Sequence, residues 1–132
     1  MGQCSSSTKE DSTIETKNQS LTHIEITLIK NSWKLIVKQG LQQNGVNMMI
    51  RIFLEHKELK PLWHFSKNLE TAEQMNSSQL LKSHGEKLFN AIDMVVNNLD
   101  EWTTLTLILI QLGFSHFKWG VREQHFPVSF LI

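Results

Sequence analysis

The sequence predicts an all-α fold. Apolar residues recur at steps of three and four over four long stretches, which is the spacing of one face of an α-helix. No alternation of short apolar strands with helices indicates a parallel sheet, and no segment repeats along the chain. The 132 residues, 40% of them apolar, suffice for one domain with a core of its own.

Charge and cysteine content exclude several classes of protein. The 13 basic residues balance 13 acidic ones, so no long-range field attracts nucleic acid, and we expect no nucleic-acid partner. The single cysteine, Cys4, cannot form an intramolecular disulfide, and the first residues lack the apolar run of a secretory signal. We therefore expect a cytoplasmic protein. The longest apolar run, residues 107–110, is too short to span a membrane.

The N-terminal stretch differs in composition from the rest. Residues 1–20 contain five serines and three threonines, with Ile14 as their only branched aliphatic residue. Such a stretch buries too little apolar surface to offset the entropy lost on ordering. We predict a disordered tail over residues 1–20 and a folded domain over residues 21–132.

The first predicted helix spans about residues 24–39. Thr22 followed by Glu25 is typical of a capping box, Ile29 and Trp33 lie on one helical face, and Gly40 ends the helix.

The second predicted helix follows Asn44 and Gly45, which we interpret as turn residues. Its apolar face comprises Val46, Met49, Ile50, Phe53 and Leu54, and Pro61 limits its length. Residues 61–78 are predicted to form loop and a short helix, ending in an Asn-Ser-Ser cluster that suits the start of the next helix.

The third and fourth predicted helices each contain a histidine within an apolar stripe. The third spans about residues 79–98 and contains His84, whereas the fourth spans about residues 103–116 and ends at His116. Residues 105–110 could instead form a buried strand. A histidine on an apolar face is usually a packed core residue, but two on different helices fit a haem slot, because haem iron takes imidazole as an axial ligand.

Several strings of the sequence follow the order and spacing of a known family. They are LIKNSW at residues 28–33, RIFL at 51–54, LKPLW at 59–63 and LGFSHFKWGV at 112–121. Over residues 26–128 the chain resembles the globins, most closely the neuroglobin and globin X branch. The resemblance implies a globin-like fold with haem b, whose iron is bound by His116, and with His84 either above bound gas or on the iron itself.

The resemblance also implies which residues surround the haem. Lys87 would pair with a propionate. The lining residues would be Met49, Phe53, Trp63, Phe65, Leu88, Leu112 and Val121. Trp63 stands where the family usually has a phenylalanine against the porphyrin, so that place belongs either to Trp63 or to Phe65. In a helical core without haem, the apolar members of this set would look the same.

The end of the chain departs from the family pattern. A globin has eight helices, which are lettered A to H. Only five residues follow Pro127, so the resemblance implies that the last two helices, G and H, are missing. Apolar faces left uncovered would favour instability or self-association.

The function implied by the resemblance is binding of oxygen or another diatomic gas, with a redox or sensing role through iron bound by both histidines. No independent catalytic motif occurs in the sequence, so we expect enzymatic activity only as incidental haem chemistry, such as nitrite reduction. A zinc site among the histidines is a further alternative, although their spacing matches no common zinc motif.

The first six residues, MGQCSS, match the N-myristoylation pattern with Gly2 as the acceptor. Cys4 is well placed for palmitoylation, and two acyl chains together anchor a protein stably. We therefore expect tethering to the cytoplasmic face of a membrane. The alternative function is a lipid-anchored helical fragment that binds no haem and acts through protein–protein contacts.

Overall fold

Five α-helices account for most of residues 20–125, the part of the chain that this computed structural model describes. In chain order they are α1 (His23–Val37), α2 (Leu41–Glu55), α3 (Ala72–Ser77), α4 (Gln79–Asn97) and α5 (Trp102–Lys118). Short 3-10 helices cover Lys57–Leu62, His64–Ser66 and Glu123–His125. No strand occurs between residues 20 and 125, which confirms the predicted all-α fold.

The predicted helices agree with α1, α4 and α5 to within two residues at each end. Residues 105–110, for which a strand is the alternative, lie inside α5. The predicted acylation sites Gly2 and Cys4, and residues 126–132, lie outside the described residues.

Side-chain caps fix where several helices begin. Thr22 Oγ1 accepts from the Glu25 N–H at 3.3 Å, and the Glu25 carboxylate accepts from the Thr22 N–H at 2.7 Å, which confirms the predicted capping box. The Ser78 hydroxyl accepts from the Leu81 N–H at 3.3 Å and caps α4 as the Asn-Ser-Ser cluster predicts.

Helices α2 and α4 cross with their backbones in contact at Gly45 and Gly85. Both glycines are buried, and a Cβ atom built on Gly85 would lie only 2.7 Å from the carbonyl carbon of Gly45. The interpretation of Asn44 and Gly45 as turn residues is therefore wrong, since both lie within α2. Glycine is needed here because the two helices approach too closely for any side chain at the crossing.

The core lies between α2, α3, α4 and the first 3-10 helix. Its buried members are Val46, Met49, Ile52, Phe53, Leu59, Met75 and Leu81. By contrast, α1 has no buried residue, and Ile29, which is predicted on its apolar face, is 37% exposed. Helical spacing shows which side chains share a face, but it does not show whether another element covers that face.

The apolar stripe predicted around His84 on α4 is only partly buried. The buried residues of α4 are Leu81, Gly85, Phe89 and Val96, whereas His84 and Leu88 are half-buried. His84 therefore keeps part of its side chain exposed.

No helix within residues 20–125 combines the length and apolar character needed to cross a bilayer.

Candidate functional site

His84 lies in the second turn of α4, half-buried between two aromatic rings. Its Nε2 atom accepts a hydrogen bond from the indole N–H of Trp63 at 2.9 Å. The ring centroid of His84 lies 5.7 Å from that of Trp63 and 6.0 Å from that of Phe65. Burial lowers the pKa of His84, and the nearby His116 and Lys87 lower it further. His84 is therefore held as a neutral imidazole.

Trp63 is fixed by contacts on both its backbone and its ring. It directly follows the 3-10 helix Lys57–Leu62 in an extended conformation, and its carbonyl oxygen accepts from the N–H of Ser66 at 3.0 Å and from the Ser66 hydroxyl at 2.8 Å. The indole packs edge-on against the buried Phe53, with ring centroids 5.1 Å apart. The sequence predicts neither the bond to His84 nor the role of Ser66, because both depend on how the 3-10 segments fold.

His116 lies in the last turn of α5 and is half-buried. Its Nδ1 atom lies 2.8 Å from the carbonyl oxygen of Leu112. A carbonyl oxygen only accepts, so Nδ1 carries a proton, and in the neutral form of the ring the lone pair lies on Nε2. Within residues 20–125 no donor pairs with that lone pair. His116 also lies close enough to His84 to affect its pKa.

The end of α5 fixes the segment that follows His116. Gly120 has φ 87°, its N–H donates to the carbonyl of Phe117 at 3.1 Å, and the N–H of Val121 donates to the carbonyl of His116 at 3.2 Å. This pair of bonds is a Schellman motif, which requires the left-handed conformation that glycine adopts readily. The motif holds Val121 beside the last turn of α5.

The predicted lining residues divide into two groups. Met49 and Phe53 are fully buried within the core. The other group is half-buried, as the walls of an open apolar slot would be, and comprises Trp63, Phe65, Leu88, Leu112 and Val121. Lys87 is exposed on α4, one turn after His84. The contacts that these residues would make with haem stay predictions.

Other parts of the described chain offer fewer groups that could bind a ligand or a metal. Two shallow clefts of about 360 and 380 Å³ contain no predicted site residue. Among residues 20–125, no three side chains of histidine, cysteine, aspartate or glutamate lie together so that they could hold a metal ion.

The family model described as Globin matches residues 46–129. Among curated relatives, neuroglobin-1 of Oncorhynchus mykiss is 34% identical over 110 residues, which cover 83% of this chain and 69% of that protein. Neuroglobin of Dissostichus mawsoni is 32% identical over 108 residues, covering 82% and 67% of the two chains. Cytoglobin-2 of Danio rerio is 29% identical over 109 residues, covering 82% and 60%. The chain thus spans about three fifths of the length of the cytoglobins it matches.

Proposed function

The chain belongs to the globin family, and from this premise we propose that it binds haem through His116 and binds oxygen or another diatomic gas beside His84. When bound, haem supplies an iron centre that takes up such gases. The observation that supports the proposal most strongly is the orientation of His116, whose ring lone pair is available at Nε2.

The residues present fit haem in donor chemistry. A histidine that ligates a metal usually donates its other ring N–H to a carbonyl or carboxylate, which fixes the tautomer and raises the basicity of the ligating nitrogen. His116 makes this bond to the carbonyl of Leu112. His84, on the neighbouring helix, is a neutral imidazole whose Nε2 accepts from the indole N–H of Trp63.

The partial burial of several predicted lining residues also fits haem. A porphyrin needs apolar walls that are reachable from outside, with polar groups only at its edge. Phe65, Leu88, Leu112 and Val121 are all half-buried apolar residues, and Lys87 supplies an exposed cation for a propionate. Two finer proposals are supported by the proximity of His84 to His116. One is a redox or sensing role, and the other is coordination of iron by both histidines, which requires that His84 Nε2 first release the indole N–H of Trp63.

Haem titration of the purified chain tests the proposal. We expect a Soret band that saturates at one haem per chain. Loss of a residue that only hydrogen-bonds to a metal ligand weakens metal binding by roughly 10–100-fold. Because His116 would be the ligand itself, His116→Ala should weaken haem binding by at least this factor. His56→Ala is the matched control, because His56 is half-buried and its ring pairs with Glu58 at 3.1 Å as its only side-chain partner among the described residues. Equal affinity in all three proteins would contradict the proposal.

We also propose that the protein is tethered to the cytoplasmic face of a membrane through acyl chains on Gly2 and Cys4. Support comes from the sequence pattern alone. Intact-mass measurement after expression in eukaryotic cells should find both modifications, and Gly2→Ala should move the protein from the membrane fraction to the soluble fraction. Equal partitioning of Gly2→Ala and the native chain between the two fractions would contradict the proposal.

The second candidate function is association with another copy of this chain without haem. The observation that favours it is an exposed apolar face on α5, where Leu107, Ile110, Phe114 and Phe117 are 59–64% exposed. Sedimentation velocity over a range of concentrations would then detect dimers, with no Soret band when haem is added. A monomer that binds haem would exclude this candidate.

A further inference from the structure

We propose that Trp63 is a positioning residue that limits coordination of haem iron by His84, because its indole N–H occupies the lone pair that iron would need. The proposal rests on the proposed function and concerns the regulation of the same site. It predicts that the side of the haem facing His84 stays open to gas in the native chain. When the indole N–H is removed, His84 would bind the iron on that side.

The two histidines differ in which lone pair remains available. A neutral imidazole has one N–H and one in-plane lone pair. In His116 the N–H is directed to Leu112 and the lone pair on Nε2 has no donor among the described residues, whereas in His84 Nε2 accepts from Trp63 at 2.9 Å. Nδ1 of His84 must then carry the proton. His84 therefore has no second lone pair for a metal while the bond to Trp63 lasts.

The bond between Trp63 and His84 joins two elements that are held rigidly. Trp63 is fixed through the Ser66 hydroxyl and through the buried ring of Phe53. His84 is the residue before Gly85, where the backbones of α2 and α4 touch. Neither partner is a mobile surface side chain, so little entropy is lost when the bond forms.

Partial burial strengthens the effect of this bond. His84 and Trp63 are both half-buried. Where a protein partly excludes water, a hydrogen bond is electrostatically stronger than it is in bulk water. Coordination by His84 would leave the indole N–H without its partner in this setting, which costs free energy. Iron and Trp63 are therefore alternative partners of Nε2.

Trp63→Phe tests the proposal, because it removes the N–H donor and keeps an aromatic ring beside Phe53. Trp33→Phe is the matched control: Trp33 is half-buried too, and its indole N–H donates to Asp93 Oδ1 at 2.7 Å, away from His84. The measured quantity is the ratio of six-coordinate to five-coordinate ferrous haem in visible absorption spectra. We expect Trp63→Phe to raise this ratio by about five-fold, the average effect of one hydrogen bond between neutral groups, and Trp33→Phe to leave it unchanged.

A measurement on the haem-free chain tests the bond itself. The chain has four tryptophans, so each indole N–H resonance can be assigned from single tryptophan variants. His84→Ala should shift the Trp63 indole resonance upfield and leave that of Trp33 in place. An unshifted Trp63 resonance would show that the bond is absent and would overturn the proposal, even if Trp63→Phe failed to fold.

The outcomes separate this proposal from the proposed function. Haem bound by the native chain with the same coordination in Trp63→Phe overturns the role of Trp63 alone. Failure of the native chain and both variants to bind haem overturns the proposed function. It also overturns the role of Trp63 in coordination, because that role requires bound haem. A rise in six-coordinate haem confined to Trp63→Phe supports both.

Discussion

At the scale of the residue, His84 and His116 have the same side chain but present different atoms for coordination. His116 donates from Nδ1 to a backbone carbonyl and keeps its lone pair on Nε2, whereas His84 accepts an indole N–H at Nε2. The sequence predicts both histidines on helical apolar faces. It does not predict their hydrogen bonds, because the donor to His84 comes from a 3-10 region 21 residues earlier in the chain.

The lowered pKa of His84 predicts acid sensitivity of the haem-free chain. The unfolded chain protonates this histidine near its ordinary pKa of 6.5, whereas the folded chain protonates it only at lower pH. The stability that depends on neutral His84 is therefore fully present above pH 6.5 and is lost as the pH falls from there toward the folded pKa. Urea unfolding at a series of pH values measures this loss.

His84→Gln should reduce that dependence below pH 6.5, because glutamine does not titrate. The exposed carboxylates of Glu25, Glu58 and Asp100, whose pKa values lie below their ordinary values, lose their effect only in more acid solution. An equal fall in stability of His84→Gln and the native chain between pH 6.5 and 5 would contradict the assignment to His84.

Ser66 should stabilise the loop that carries Trp63. Its fully buried hydroxyl donates to the carbonyls of Lys60 and Trp63 at 2.5 and 2.8 Å. Ser66→Ala removes this donor from two carbonyl groups, so we expect a loss of about 1–3 kcal/mol in the free energy of unfolding. Ser115→Ala is the control, since the exposed Ser115 hydroxyl donates to the carbonyl of Gln111 within the same helix, α5. Equal effects of the two substitutions in urea titrations would contradict the role of Ser66.

At the scale of the element, the crossing of α2 and α4 positions His84. The sequence predicts α4 closely because helical spacing and an N-cap are local signals. It misassigns Gly45 because an Asn-Gly pair is also typical of a turn, and the partner that explains Gly45 lies 40 residues later at Gly85. Contacts between distant segments are not visible in local patterns.

Gly45→Ala should destabilise the protein strongly. A methyl group at this position would overlap the backbone of Gly85, so α2 and α4 would have to move apart, at a cost of about 1–3 kcal/mol or more. Gly113→Ala in α5 has open space around it and should instead stabilise the helix by about 0.5–1 kcal/mol. Thermal unfolding of both variants measures the difference, and a Gly45→Ala protein as stable as the native chain would show that the helices do not touch there.

At the scale of the whole molecule, packing is uneven. The buried core joins α2, α3, α4 and the 3-10 helix Lys57–Leu62, whereas α1 has no buried residue and α5 buries only Leu105 among the described residues. The sequence predicts the helices of this arrangement but not which of their apolar faces are covered.

This uneven packing predicts uneven amide hydrogen exchange. In the haem-free chain, amides of α1 and α5 should exchange faster than those of α2 and α4, because fewer buried contacts oppose their local opening. Haem binding should slow exchange in α5 most, since His116 lies there. Uniform protection across the four helices, unaffected by haem, would contradict this account.

The most direct test of the central claim, that His116 holds haem, is rescue of a His116→Gly variant by imidazole. We expect the ferrous Soret spectrum of the native chain with haem to be lost in His116→Gly and restored when free imidazole takes the place of the missing ring. His56→Gly should need no rescue. A His116→Gly spectrum identical to that of the native chain without imidazole would contradict the claim.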